Sequence, residues 1–170
     1  MTHECFSSQS ALAIAEAKHV TIRPIAPGDI DAVASLLSDL AGEFILREFD
    51  AGAREHFLNR NNAEAIRGFI ASSHRYHVAE VNGELAGFVG VRDNKHLYHL
   101  FVAKPMQRQG IGRALWEYAK RECIAHGNSG PYTVNSSDNA VPVYERWGFR
   151  RDGPAQNANG ILYNPMKCGE

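Results

Sequence analysis

The spacing of hydrophobic residues divides the chain into helix-like and strand-like segments. Apolar side chains recur with a period near 3.6 after Asp29, which predicts a helix, and a thinner helical pattern covers residues 53–72. The stretch 42–52 between them is predicted to be a loop. Short β-rich runs predict strands at 20–25, 76–81, 85–91, 96–103 and 132–134, and a final edge strand at 161–166, where Asn164 and Pro165 would weaken a central one.

The order of these elements limits the fold. Asn82-Gly83 is a strong hairpin turn, and the Asp93-Asn94-Lys95 turn leads into the strand 96–103, so an antiparallel meander comes first. A strand, a glycine-rich turn and a helix follow it. A doubly wound dinucleotide-binding fold would instead alternate strand and helix from its start. The pattern therefore favours an α/β fold with a mixed sheet.

The turn after the strand 96–103 carries the clearest chemical signal. It reads Gln-Arg-Gln-Gly-Ile-Gly from Gln107 to Gly112 and opens an amphipathic helix. Glycines at the mouth of a helix let a ligand approach the backbone, and the free N–H groups of the first turn bind anions. Arg108 and Arg113 add full positive charges. The turn is predicted to hold a phosphorylated ligand.

Three kinds of glycine-rich phosphate loop compete for this turn. A P-loop needs Lys-Ser or Lys-Thr after its last glycine, and none follows Gly112. A dinucleotide fingerprint needs a third glycine where Leu115 stands. Gln107, Gly110 and Gly112 match [QR]-x-x-G-x-[GA], and the turn resembles the acyl-CoA loop of the GCN5-related N-acetyltransferases (GNAT).

A second segment resembles the other signature of the GNAT family. A Ser/Asp/Asn-rich turn precedes a short helix in which Ala140, Tyr144, Gly148 and Phe149 match A-x-x-x-Y-x-x-x-G-F. The resemblance implies a GNAT fold: a mixed central sheet of about six to seven strands flanked by about four helices. It assigns residues 20–170 to one N-acetyltransferase domain, preceded by an extension at 1–19 that is either helical or disordered.

The resemblance also implies an activity and a co-substrate. Acetyl-CoA and an amine of a small molecule or peptide would bind together, and the amine would attack the thioester directly. By position, the backbone of Leu100 and Val102 would meet the acetyl carbonyl and pantetheine. The pyrophosphate would bind the N–H groups of Gln107, Arg108, Gln109, Gly110, Ile111, Gly112 and Arg113. Asn139 is close to the asparagine that relatives turn toward pantetheine, with Asn135 and Ser137 as alternatives.

Two side chains are candidates for proton transfer. Tyr144 matches the general acid of the family, and the alternative is a tyrosine packed in the core. His96 occupies the place where histone-modifying members carry a glutamate base, and its imidazole is mostly neutral at pH 7. Strand alternation is expected to place His99 on the opposite face, with His96 sharing a face with Leu100 and Val102. A water chain is the alternative base, and both histidines could be ordinary residues.

Composition excludes several other classes. Eighteen basic and nineteen acidic residues give a net charge of −1, so neither nucleic acid nor an anionic membrane is expected as a partner. Three scattered cysteines predict a reducing compartment, and no residue spacing suggests a metal site. Without a signal peptide or a long apolar run, the protein is expected to be soluble and cytoplasmic.

The acceptor and the oligomeric state stay open at this stage. The loop 42–52 contains Phe44, Arg47, Glu48, Phe49 and Asp50, whose acids would receive a cationic amine unless they pair with Arg47. A homodimer is compatible with the sequence. The alternatives to an enzyme are a non-catalytic acyl-CoA-binding or regulatory module of the same fold and a ligand-free structural protein.

Overall fold

The computed structural model describes residues 19–47 and 49–169 and has the mixed α/β architecture that the sequence predicts. An eight-stranded sheet forms its centre. The strands are β1 (Val20–Pro24), β2 (His74–Val81), β3 (Glu84–Arg92), β4 (His96–Val102), β5 (Tyr132–Ser136), β6 (Arg150–Arg151), β7 (Gln156–Ala158) and β8 (Ile161–Cys168). The helices are α1 (Ile30–Phe44), α2 (Ala51–Asn59), α3 (Ala63–Ala71), α4 (Ile111–Ala125) and α5 (Val141–Arg146).

The sheet combines the predicted meander with a parallel crossover. Its order is β1-β2-β3-β4-β5-β8-β6, and β7 pairs with β8 off this path. β4 and β5 are parallel because α4 returns the chain between them, whereas the other pairs are antiparallel. The two short strands β6 and β7 account for the difference from the six to seven strands expected.

Each face of the sheet has its own hydrophobic core. On one face α4 and α5 bury Leu115, Trp116 and Tyr144 against the strands. On the other face α1 and α3 cover β2, β3 and β4, with Val33 and Phe88 in their core. The chain thus builds two layers of helices around one sheet, as the apolar faces of the helices require.

The predicted helix over residues 53–72 is wrong in one respect, because it is two helices. Asp50 accepts a hydrogen bond from the N–H of Ala53 at the start of α2, and Asn62 accepts one from Ala65 at the start of α3. These caps begin a new helix at each point. The predicted loop 42–52 is also shorter than expected, because α1 continues through Gly42 to Phe44.

The prediction of an edge strand at 161–166 is wrong. β8 lies between β5 on one side and β6 and β7 on the other. Pro165 is tolerated because its ring nitrogen faces away from β5. Its carbonyl accepts a hydrogen bond from Asp152 N on the β6 side, and the nitrogen and carbonyl of one strand residue point to the same side. β6 has already ended there, and no ladder donor toward β5 is lost.

Some expectations fall outside the described residues. The predicted extension at 1–19 is outside them except for His19, and so is Glu48. Within the ranges that are described, no helix is both long and apolar enough to cross a membrane.

Candidate active site

A gap opens in the middle of the sheet where β4 and β5 part. The two strands pair only at His96 with Thr133 and at Leu97 with Val134. Beyond these pairs β4 keeps β3 on one side, while β5 pairs with β8 on its far side. The backbone of β4 from Tyr98 onward therefore has an edge that no strand pairs with in the described structure.

Two residues of β4 turn backbone groups into this gap. The N–H of Ala103 donates to the carbonyl of Ala86 on β3. Backbone groups of successive residues point to alternate sides of a strand, so those of Val102 and Leu100 point away from β3 and into the gap. The Gln107 side chain donates from Nε2 to Val102 O at 3.0 Å. Gln107 therefore holds the end of β4, while the N–H groups of Leu100 and Val102 stay directed into the gap.

The glycine-rich turn lies at the wide end of the gap and has the geometry of an anion site. Arg108 and Gly110 both have left-handed backbones, with φ of 59° and 80°, and Gly110 is the N-cap of α4. A Cβ on Gly110 would meet nothing within 4 Å. Successive N–H groups in such a turn form a concave donor surface at the positive end of the helix dipole.

Gly112 marks the place where the two signature motifs meet. A Cβ built on Gly112 would lie 3.6 Å from Val102 Cγ2 and 3.6 Å from the Trp147 ring. The start of α4, the end of β4 and the end of α5 thus converge at this residue. Two motifs far apart in sequence line one cleft.

Tyr144 is held by aromatic packing rather than by hydrogen bonds. Its ring contacts Trp147 and Phe149 edge-on, with centroids 5.6 and 5.5 Å away, and its side chain is buried. Burial raises the pKa of its hydroxyl, so the group stays protonated at neutral pH. Among the described residues the hydroxyl has no hydrogen-bond partner, so its proton is available to a ligand.

His96 lies at the narrow end of the gap. Its Nδ1 is 2.7 Å from Thr133 Oγ1 on β5, and its ring is partly buried. Burial, together with the nearby Arg92 guanidinium, lowers the pKa of His96 to about 4. The imidazole is therefore neutral at pH 7.

The predicted arrangement of the two histidines on opposite faces is wrong. Gly90 pairs with His99 and Arg92 pairs with His96, and residues two apart on β3 share a face. Tyr98 is the extra residue of a β-bulge, which shifts the alternation by one position. His96 and His99 therefore both face the α1/α3 side, whereas Leu100 and Val102 belong to the core under α4.

His99 is fully engaged in a buried network. Its Nε2 lies 2.8 Å from Asn61 Oδ1 and its Nδ1 lies 2.9 Å from the Tyr76 hydroxyl. Because Asn61 Nδ2 donates to Phe57 O, its Oδ1 must accept, so His99 carries its proton on Nε2 and accepts from Tyr76 at Nδ1. Burial lowers the pKa of His99 to about 3. With both nitrogens in use, His99 is not available as a base.

Sequence reasoning missed the residues that build this network, Asn61, Tyr76 and Gly90. A Cβ on Gly90 would overlap the Tyr76 ring, so glycine is needed for that ring to cross β3 and reach His99. A glycine inside a strand signals a close approach of this kind, and Gly90 was that signal. Nothing local marks Asn61, whose role depends on where α2 ends.

The C-terminal end of α1 contacts both sides of the gap. Glu43 forms an ion pair with Lys104 at 2.5 Å, and Phe44 O accepts from Asn139 Nδ2 at 3.2 Å. The Asn139 amide is thus engaged with α1, and Asn135 is an exposed side chain of β5. Of the acids expected to receive the acceptor, Asp50 caps α2 instead.

Comparison with known proteins agrees with this geometry. Residues 37–169 match the Acetyltransferase (GNAT) domain. The chain is 30% identical over 81 residues to the peptidyl-lysine N-acetyltransferase YiaC of Escherichia coli K12. That match covers 48% of this chain and 53% of YiaC, so the chain spans about half the length of this curated relative.

Solved structures share the fold at low sequence identity. A GCN5-related N-acetyltransferase from Rhodopseudomonas palustris has a TM-score of 0.75 at 18% identity, covering 88% of this chain and 95% of that one. PaiA N-acetyltransferase from Thermoplasma acidophilum, solved in complex with coenzyme A, has a TM-score of 0.74 at 15% identity, covering 89% and 99%. With a domain match over most of its length, and with both signature motifs lining one cleft, this chain belongs to the GNAT acetyltransferase family.

Proposed function

We propose that this protein transfers the acetyl group of acetyl-CoA to an amine of a small molecule or peptide within a ternary complex. The gap between β4 and β5 carries this proposal, because an anion-binding turn lies at its wide end and free backbone donors line it. The pyrophosphate would bind the N–H groups from Gln107 to Arg113, with Arg108 and Arg113 as counter-charges. The pantetheine arm would then enter between the strands.

The chemistry divides among groups already described. The amine nitrogen forms a bond to the thioester carbon, and the carbonyl oxygen that becomes negative accepts hydrogen bonds from backbone N–H groups of Leu100 and Val102. The carbon–sulfur bond then breaks, and the sulfur leaves with the electron pair. Tyr144 donates its proton to that sulfur, a step that suits a protonated hydroxyl which no described residue binds. The acetylated nitrogen then loses its second proton, which returns the tyrosine to its protonated form.

The attacking amine must first lose a proton. His96 is the candidate base, with Nδ1–H donating to Thr133 Oγ1 and the Nε2 lone pair left to accept. Its low pKa makes it a weak base, so a relay through water to solvent is the alternative route. His99 is excluded from this role by its two hydrogen bonds.

The relatives support the chemical class of the proposal. YiaC is named a peptidyl-lysine N-acetyltransferase, and the PaiA structure contains coenzyme A. For this chain we correspondingly propose an amine as the acceptor and acetyl-CoA as the donor.

A coupled assay and a titration test the proposal together. Free thiol release from acetyl-CoA is measured across a panel of primary amines that includes lysine peptides, polyamines, amino acids and aminoglycosides, and acetyl-CoA binding is measured by isothermal titration. Acetylated amine with stoichiometric thiol release is expected. Binding without turnover on any amine would indicate a non-catalytic acyl-CoA-binding module, and absence of binding would indicate a structural protein.

A further inference from the structure

A row of mostly cationic and imidazole side chains crosses the sheet at the narrow end of the gap. Directly paired residues of neighbouring strands point to the same face, and adjacent strands are about 4.8 Å apart. The register places six residues side by side, one from each of six strands. We call them the vertex row; from β2 to β6 across the sheet they are His74, Arg92, His96, Thr133, Lys167 and Arg150.

The proposed donor site lies on the opposite face of the sheet, so the face of the vertex row is the side left for an acceptor. α4 and its glycine-rich turn are on the other face, where the donor enters. Helices α1 and α3 cover this face over β2, β3 and β4, and Phe69 of α3 stacks on His74 at 4.6 Å. Beyond the gap, Lys167, Arg150 and Asn135 are exposed. The part of the face over β5, β8 and β6 is therefore open to a ligand.

The charges of this open part are unbalanced. Within the described ranges, no carboxylate lies within 4 Å of the Lys167 or Arg150 side-chain nitrogens, and Arg92 has only Asp93 at 3.5 Å. The nearby acid is Asp152, which directly follows β6 and lies opposite Pro165, two residues along β8 from Lys167. The vertex row thus has two exposed cations that no described carboxylate pairs with, beside the proposed reaction centre.

The opposite end of the cleft is closed on this face. The hairpin of β7 and β8 reaches α2, with Asn159 Nδ2 3.4 Å from His56 Nε2. A Cβ on Gly160 would lie 3.3 Å from Ala53 Cβ. An acceptor whose amine lies over His96 therefore extends toward Lys167 and Arg150 rather than past the hairpin.

We propose that the acceptor is an amine that carries a carboxylate or another anionic group, which binds Lys167 and Arg150. This inference rests on the proposed N-acetyltransferase function and specifies its substrate class. Two strand spacings separate His96 from Lys167, so the anionic group lies about 10 Å from the position of the reacting nitrogen. Two kinds of acceptor combine an amine with such an anionic group: a peptide lysine flanked by acidic residues, and a small amine that carries a carboxylate.

Matched acceptors test the proposal on the full chain. One pair is a lysine peptide with flanking Asp and Glu and the same peptide with Asn and Gln, both with blocked ends. The other pair is a small primary amine with a carboxylate and its primary amide. The acidic member of at least one pair should have a kcat/KM about threefold to tenfold higher at low ionic strength, and salt should reduce the ratio. The pair that discriminates identifies the source.

Variants separate the vertex row from net charge. The double variant Lys167→Gln and Arg150→Gln should bring the ratio close to one, through the acceptor KM, while acetyl-CoA affinity is unchanged. Arg121→Gln removes an exposed cation on α4, on the other face, and should leave the ratio intact. Equal kcat/KM within both pairs for the unaltered protein, or an equal effect of Arg121→Gln, would overturn the inference. Complete absence of acetyl transfer would instead contradict the proposed function.

Discussion

Tyr144 combines an apolar environment with a hydroxyl that no described residue binds. Tyr144→Phe keeps the ring packing and removes the proton donor, so turnover should fall by about 10²–10⁴ while acetyl-CoA affinity changes little. Tyr132→Phe is the matched control. Tyr132 is also buried and its hydroxyl has no hydrogen-bond partner among the described residues, but it lies at the start of β5, before the residues that pair with β4. Turnover by Tyr144→Phe equal to that of the unaltered protein would make the tyrosine structural.

His96 is the second residue whose role is decided by its environment. A free imidazole would give an acid limb in the rate–pH profile near ~6–7. Burial moves the pKa to about 4, so the limb due to His96 should lie near that value and the profile should be flat through neutrality.

A substitution at His96 tests whether it is the base. His96→Gln should lower kcat/KM by about 10²–10⁴ at pH 7 if the imidazole accepts the proton. Thr133→Val removes the partner of Nδ1 and should lower it less. Activity of His96→Gln equal to that of the unaltered enzyme would assign deprotonation to water.

At the scale of elements, the glycine-rich turn tests the donor site. Gly110→Asp introduces a side chain and a negative charge where the pyrophosphate is proposed to bind, so acetyl-CoA affinity should fall at least about tenfold. Gly127→Asp is the matched control, because Gly127 also has a positive φ, of 91°, and open space at its Cβ. Isothermal titration should show normal affinity for the control, and equal affinities for both variants would remove the site from this turn.

Packing between β2, β3 and β4 depends on another glycine. Gly90→Ala would drive a methyl group into the Tyr76 ring and disturb its bond to His99, which should destabilise the fold by about 1–3 kcal/mol. Gly42 lies at an exposed position in the last turn of α1, and a Cβ there would meet nothing within 4 Å. Gly42→Ala should therefore stabilise the fold by about 0.4–1 kcal/mol. Urea unfolding measures both, and a neutral Gly90→Ala would mean that the Tyr76 ring moves freely.

For the whole molecule, buried histidines make stability depend on pH. Burial lowers the folded-state pKa of His77 to about 4 and that of His99 to about 3, whereas both titrate near ~6.5 when unfolded. Below pH ~6.5 the unfolded chain therefore binds protons that the folded chain does not. Their contribution is complete above that pH and is lost as pH falls, by about 1.4 kcal/mol per pH unit for each group.

Urea titrations between pH 7 and 4.5 check this slope. His77→Gln should make the decline shallower by about the contribution of one group. His19→Gln, at an exposed position away from His77, is the control and should leave the decline unchanged. An identical decline for both variants would show that other groups control the acid sensitivity.

The two signature motifs were readable from the sequence because their chemistry is local. A turn with glycines before a helix places free N–H groups at the helix start whatever surrounds it, and the Asn82-Gly83 turn fixes its own hairpin. The family, the mixed sheet and the order of its elements followed from such signals. The roles of Tyr144 and His96 stay predictions, since they depend on a bound substrate.

Tertiary structure alone decided which face each side chain of β4 occupies and which residues lie beside it. The bulge at Tyr98 reverses the alternation, and it exists only in the pairing of β4 with β3. Likewise β8 is interior because β6 returns to its outer side, and the vertex row forms because six positions far apart in the chain come into register. A one-residue shift in pairing moves every side chain to the other face, and no local pattern determines that shift.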